Sequence, residues 1–79
     1  MKKVAIFTTP SCVYCKKTKE FFKNHSVEYM EYDVTRDVAR RDEMIQRSGQ
    51  MGVPVIDIDG TLVLGFDERR LRQLLGVGA

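Results

Sequence analysis

The amino-acid sequence predicts an α/β fold, a four-stranded mixed sheet flanked by three helices in the order βαβαββα. Three observations carry the prediction. Lys3–Thr8 and Val27–Val34 are strand-like runs with apolar residues on both faces, and a helical stretch separates them. That succession makes a parallel pair joined by a right-handed crossover, buried on both sides. Asp59-Gly60 then separates Val55–Ile58 from Thr61–Leu64, and a two-residue Asp-Gly turn between β-rich runs forms a hairpin. Finally, 79 residues suffice for one small domain, residues 1–79, near the size at which a single core only just supports a fold.

The elements follow in order. In Lys3–Thr8, Val4 and Ile6 share one face, Ala5 and Phe7 the other. Thr8-Thr9-Pro10-Ser11 is a turn, with Ser11 a good N-cap that would put Cys12 at the first helical position. Along the helix through Cys15–Asn24, Cys15 and Phe22 lie two turns apart on one side. Tyr14, Thr18 and Phe21 line an adjacent stripe, and the helix ends around His25. In Val27–Val34, Met30, Tyr32 and Val34 face one way, Val27 and Tyr29 the other. Thr35 is the expected cap of a second helix running to about Ser48, where Gly49 is a stop signal. Its apolar face is thin (Val38, Ala39, Met44, Ile45), so it should be the most exposed helix. The hairpin register stacks Ile56 on Val63 and Val55 on Leu64, on opposite faces. Asp67 caps the last helix; Phe66 staples onto Leu71, Leu74 and Leu75 extend the apolar face, and Gly76 ends it.

Composition narrows the function classes. A net charge of +2 is too small to argue for nucleic acid. The basic clusters (Lys16, Lys17 and Lys19; Arg40 and Arg41; Arg69, Arg70 and Arg72) sit beside acidic residues on predicted helices. They read as solvated helix faces. Met1-Lys2-Lys3 resembles the start of a signal peptide, but the apolar run ends at Phe7, too short for an h-region. No stretch approaches the length of a membrane span. Two cysteines three apart cannot staple a fold, and such usage points to a reducing cytosol. The expectation is a cytoplasmic monomer with neither membrane nor nucleic-acid partners.

Those cysteines, in Cys12-Val13-Tyr14-Cys15, are the chemical signal. Two thiols at i and i+3 where a helix begins suit disulfide exchange. The positive end of a helix stabilises a thiolate, and the second sulfur is close enough to close a disulfide. Other readings are weaker. A structural bridge over so short a loop would contribute only about 2 kcal/mol. A zinc site needs about four ligands, and the chain offers two cysteines and His25. Two inert core thiols remain open. No histidine lies near the motif, which argues against Cys–His activation. Position as much as spacing favours redox chemistry.

Three segments at these separations resemble the glutaredoxins, whose fold is the minimal thioredoxin fold: Thr8-Thr9-Pro10-Ser11-Cys12-Val13-Tyr14-Cys15, Gly52-Val53-Pro54 and Gly65-Phe66-Asp67. The resemblance covers essentially the whole chain. It implies a dithiol disulfide oxidoreductase with Cys12 as nucleophile, Cys15 as resolver and a redox-active Cys12–Cys15 disulfide, without a bound cofactor or metal. It further implies a cis Pro54 facing the cysteines, Val53 presenting its backbone to an extended substrate, and Tyr14, Gly65 and Asp67 completing the groove. In glutathione-binding members the position of Asp67 meets the γ-glutamyl amine. Substrates would be disulfide-containing proteins or small molecules.

The chain departs from the family at four places: Val13 where many members have proline, Gly52 for threonine, Phe66 where glycine is common, and Thr9 for a basic residue. Thr9 removes a partner for a glutathione carboxylate, Gln50 and Met51 leave the run before Val-Pro uncharged, and Phe66 should crowd the approach at Gly65. Two electron sources therefore compete, glutathione and thioredoxin reductase. The second resembles redoxin-type donors to enzymes such as ribonucleotide reductase, and a dithiol reductant with weak glutathione use is the expectation. A reading of another class is a non-catalytic module sharing zinc or an iron–sulfur cluster between copies. The dithiol motif with a poor glutathione pocket counts against it.

Overall fold

In the computed structural model, which describes residues 3–77, seven elements form in the expected order. They are β1 (Val4–Thr8), α1 (Val13–Asn24), β2 (Met30–Asp33), α2 (Val38–Ser48), β3 (Val55–Ile58), β4 (Thr61–Leu64) and α3 (Glu68–Leu75). Met1 and Lys2 of the leader-like start, and positions 78–79 of the expected domain span, lie outside the described residues.

The sheet order is β2-β1-β3-β4. β1 runs parallel to β2, with Phe7 opposite Tyr32 and Thr8 opposite Asp33. It runs antiparallel to β3, with Ile6 opposite Ile56 and Phe7 opposite Val55. The hairpin has the expected register, Ile56 opposite Val63 and Val55 opposite Leu64. Its turn puts both Asp59 and Gly60 at positive φ, 51° and 94°. An aspartate tolerates that region and a glycine enters it without steric cost.

Both faces of the two central strands are covered, which accounts for their two-sided apolar pattern. Val4, Ile6, Ile56, Ile58 and Val63 pack on Phe21 and Phe22 of α1 and Leu71 of α3. Phe7 and Val55, on the other face, pack on Val34 and Met44 beneath α2. Each large apolar side chain buried this way contributes about 1.5–3 kcal/mol. As expected, α2 buries little of itself: Met44 is its buried residue.

Three local expectations fail for physical reasons. Ser11 does not cap α1; Cys12 does. Thr35 does not cap α2, because its N–H and its hydroxyl both turn back to Asp33 Oδ1, and Asp37 caps instead. The second strand is shorter than Val27–Val34 because Val27 donates its N–H to the Phe22 carbonyl at 2.8 Å, which ties it to the end of α1. Met30 lies on the edge strand and stays exposed, although on the α2 face Tyr32 is half-buried and Val34 buried.

Candidate active site

The strand registers bring three separate segments to one end of the sheet. β1 ends at Thr8, β3 begins at Val55 opposite Phe7, and β4 ends at Leu64 opposite Val55. Cys12–Cys15, Val53-Pro54 and Gly65–Asp67 therefore emerge at the same end.

The first segment is a tight turn into α1. The Cys12 N–H donates to the Thr9 carbonyl at 3.3 Å, and the Cys12 carbonyl accepts the first helical bond from Lys16 at 3.3 Å. Cys12 keeps an extended backbone (φ −83°, ψ 112°), and its Sγ accepts the N–H of Cys15 at 3.1 Å. The sulfur thus occupies the place of a capping oxygen, where an N–H donor and the positive end of the helix favour negative charge. Both cysteines are free thiols.

Their surroundings differ sharply. Cys12 is half-buried, whereas Cys15 is 1% exposed. Burial, first, and the adjoining Cys12 sulfur, second, push the Cys15 thiol up to about 12. The backbone of Thr9 and the charge of Lys19 act the other way. Across the neutral range Cys15 is therefore a protonated thiol beside a sulfur held by an N–H. Such a pair can attack with one sulfur and resolve with the other.

At the same end of the sheet lies the Val53–Pro54 turn, whose peptide bond is cis. Pro54 is fully buried, and its carbonyl accepts the N–H of Gly65 at 2.8 Å. Gly65 has φ 79°, a value that favours glycine, so the link from β4 back to Pro54 depends on that residue type. Val53 is half-buried on the α2-side core. Tyr14 stands on the first turn of α1, 59% exposed, with the Lys17 ammonium 5.3 Å from its ring centre. Val13 and Met51 are exposed as well.

Asp67 caps α3, its Oδ1 accepting the Arg70 N–H at 3.1 Å. Phe66 precedes that cap. Its ring meets the Phe21 ring edge-on at 6.2 Å and packs partly against the core. A groove between Lys3, Val27, Tyr29, Asp59 and Leu75 lies elsewhere, at the other end of β1.

One feature behind the thiols escaped sequence reasoning. The Thr8 hydroxyl donates to Glu31 Oε2 at 3.1 Å, and the Lys19 ammonium meets the same oxygen at 2.8 Å. Lys19 was expected to be one more solvated lysine. Its spacing of four from Cys15 was visible in the sequence, but its partner was not, because Glu31 reaches it only through strand pairing. Among the described residues no three His, Cys, Asp or Glu side chains converge, and no helix is long and apolar enough to cross a membrane.

The family model described as Glutaredoxin matches residues 4–63 of this chain. A glutaredoxin-like 8.6 kDa protein in the rubredoxin operon of Clostridium pasteurianum is 40% identical over 72 residues, 91% of this chain and 96% of that one. Glutaredoxin 3 of Escherichia coli strain K12 is 37% identical over 68 residues, 86% of this chain and 82% of that one. Among solved structures, a mutant of the thioredoxin-like protein BC3987 is 37% identical with a TM-score of 0.92, over 99% of this chain and 100% of that one. A match that runs from the start of β1 into β4 and takes in both thiols makes this chain a member of the glutaredoxin family, with thiol–disulfide exchange as its general activity.

Proposed function

We propose that the protein is a dithiol oxidoreductase that reduces disulfides, chiefly of protein substrates, through Cys12 and Cys15. The observation that carries this reading is the inequality of the two thiols: one half-buried and capped onto the helix, the other buried and held protonated. The Cys12 thiolate attacks one sulfur of the substrate disulfide. The substrate S–S bond breaks, and its second sulfur leaves with the electron pair and takes up a proton. Cys15 then loses its proton and attacks Cys12 Sγ. That step forms the Cys12–Cys15 disulfide and releases the second substrate thiol. Two electrons have moved from the protein to the substrate. The Val53 backbone, beside Pro54, receives an extended substrate segment by strand addition. Tyr14 walls the groove, and Gly65 and Asp67 complete it.

For the electron source, the proposal is a reductant that uses thioredoxin reductase well and glutathione weakly. Thr9 offers no cation to a glutathione carboxylate, and Gln50 and Met51 add none. Asp67 already gives one carboxylate oxygen to the helix cap.

Two measurements test this. In NADPH-coupled disulfide reduction, thioredoxin reductase should drive turnover better than glutathione with glutathione reductase; the reverse order overturns the choice of donor. Cys15→Ser should accumulate a covalent mixed disulfide detectable by mass, while Cys12→Ser forms none. Full protein-disulfide turnover by Cys15→Ser would sink the dithiol mechanism.

A further inference from the structure

Behind the buried thiol, three elements meet around one lysine. The backbone of Thr9 faces Cys15 and favours its thiolate. The preceding residue, Thr8, is 2% exposed, and its hydroxyl holds Glu31 Oε2 at 3.1 Å. That oxygen holds the Lys19 ammonium at 2.8 Å. Lys19 lies four residues after Cys15 on α1, hence on the same face of the helix, and the two groups act on each other electrostatically. A free lysine head would swing into water. Here β1 and β2 hold it at the flank of α1.

Resting on the dithiol mechanism above, we propose that Lys19, clamped by Glu31 and Thr8, is a positioning residue for the resolving step, setting how fast Cys15 displaces substrate from the Cys12 mixed disulfide. Cys12, at the cap of α1, and Lys19, within it, act on Cys15 by charge, and Glu31, paired with Lys19 at 2.8 Å, offsets part of the lysine's field. The groups acting on Lys19 from the β2 side are Glu31 and Tyr29. In the dithiol state, Cys12 opposes a second thiolate beside it by its charge and by its hydrogen bond. Once Cys12 is bound to substrate it carries no charge, and both of those effects end. Burial still opposes ionisation, and Lys19 is then the charged side chain that favours it. The requirement for a Cys15 thiolate therefore arises at the stage when Lys19 is least opposed. In the step itself the Cys15 proton passes to solvent and a Cys12–Cys15 bond forms. The bond from Cys12 to the substrate sulfur breaks, and that sulfur leaves with the electron pair and is protonated. Both cysteines are oxidised and the substrate is reduced.

Stopped-flow reaction of the reduced protein with 5,5′-dithiobis(2-nitrobenzoate) separates the steps, since one thionitrobenzoate leaves on attack by Cys12 and a second on attack by Cys15. Lys19→Met should move the pH midpoint of the second release up and slow that release about threefold near pH 7, the tenfold loss of thiolate per unit being partly offset by the greater nucleophilicity of a more basic sulfur. The first release should change less than about twofold. Lys19→Arg, which keeps the charge, should restore the second release. A second release in Lys19→Met with the wild-type rate and midpoint overturns the proposal, as does equal slowing of both releases, or a Lys19→Arg as slow as Lys19→Met. If the wild type gives no second release, or Cys15→Ser still gives one, the dithiol mechanism itself falls. Two normal releases in wild type with an indifferent Lys19→Met remove the lysine's role alone.

Discussion

The heads of α1 and α3 lie at the same end of the sheet and share one local geometry. In each, an extended residue caps the helix, and its side chain accepts the N–H three residues on, at 3.1 Å: Cys12 from Cys15, Asp67 from Arg70. Asp37 repeats the arrangement on α2. The backbone therefore treats the three helices alike, and only the capping atom differs. A carboxylate satisfies the N–H strongly and stabilises its helix. A sulfur is a weaker acceptor, so α1 gives up part of that stabilisation and gains a sulfur that faces a donor at a helix end. On the proposed mechanism, function here is a capping position filled by a nucleophile. The comparison breaks if Cys12 proves to matter for the fold or Asp67 for the chemistry.

The largest effect expected is on activity at Cys12. Cys12→Ser should lower disulfide reduction to background while leaving the thermal midpoint unchanged or slightly higher, since serine is among the best capping residues. A clear loss of stability would mean that the sulfur does structural work no hydroxyl replaces. Next comes the alkaline stability of the reduced protein. The folded state holds the Cys15 thiol up to about 12 against an ordinary value of 9.0. The stability this group contributes is therefore fully present below pH 9 and is lost as pH rises toward 12. Denaturant unfolding under reducing conditions should show a steeper fall over that window in the wild type than in Cys15→Ala. Parallel curves for the two proteins would contradict the environment described for Cys15.

Where sequence and structure agree, one local rule suffices. Asp59-Gly60 can form only a few turns, and the hairpin register follows from it. Phe66, Asp67 and Leu71 form a capping pattern confined to six residues, and the cap is where that pattern puts it. The misassigned caps come from competition that local rules do not resolve. Ser11, Cys12, Thr35 and Asp37 are all short polar side chains near a helix start. The choice among them depends on the turn by which β1 and β2 end: the Cys12 N–H bonds Thr9, and Thr35 bonds Asp33. The candidate site was legible as chemistry from the spacing of Cys12 and Cys15. That Val53, Pro54, Gly65 and Asp67 emerge at the same end of the sheet was legible only through family resemblance, because nothing local relates them. Glu31 was illegible by either route, since its link to Lys19 spans 12 positions and its link to Thr8 spans 23.

The smaller effects concern Asp67, whose two roles separate by substitution. Asp67→Ala and Asp37→Ala should each cost about 1 kcal/mol, or roughly 4–8 °C in thermal midpoint for a domain of this size. Asparagine caps a helix nearly as well as aspartate, so Asp67→Asn and Asp37→Asn should each lie within a few tenths of a kcal/mol of wild type. With stability held level, kinetics isolates the charge. Asp37 lies in none of the three segments around the cysteines and serves as the control. If the protein uses glutathione weakly, Asp67→Asn should change thioredoxin-reductase-coupled turnover by less than about twofold, as Asp37→Asn does. A carboxylate that holds the γ-glutamyl amine would instead raise KM several-fold for a glutathione mixed disulfide in Asp67→Asn, with kcat kept and Asp37→Asn silent. That outcome would make the head of α3 a second place where a cap serves the chemistry, and the contrast with α1 would become one of substrate binding against nucleophilic attack.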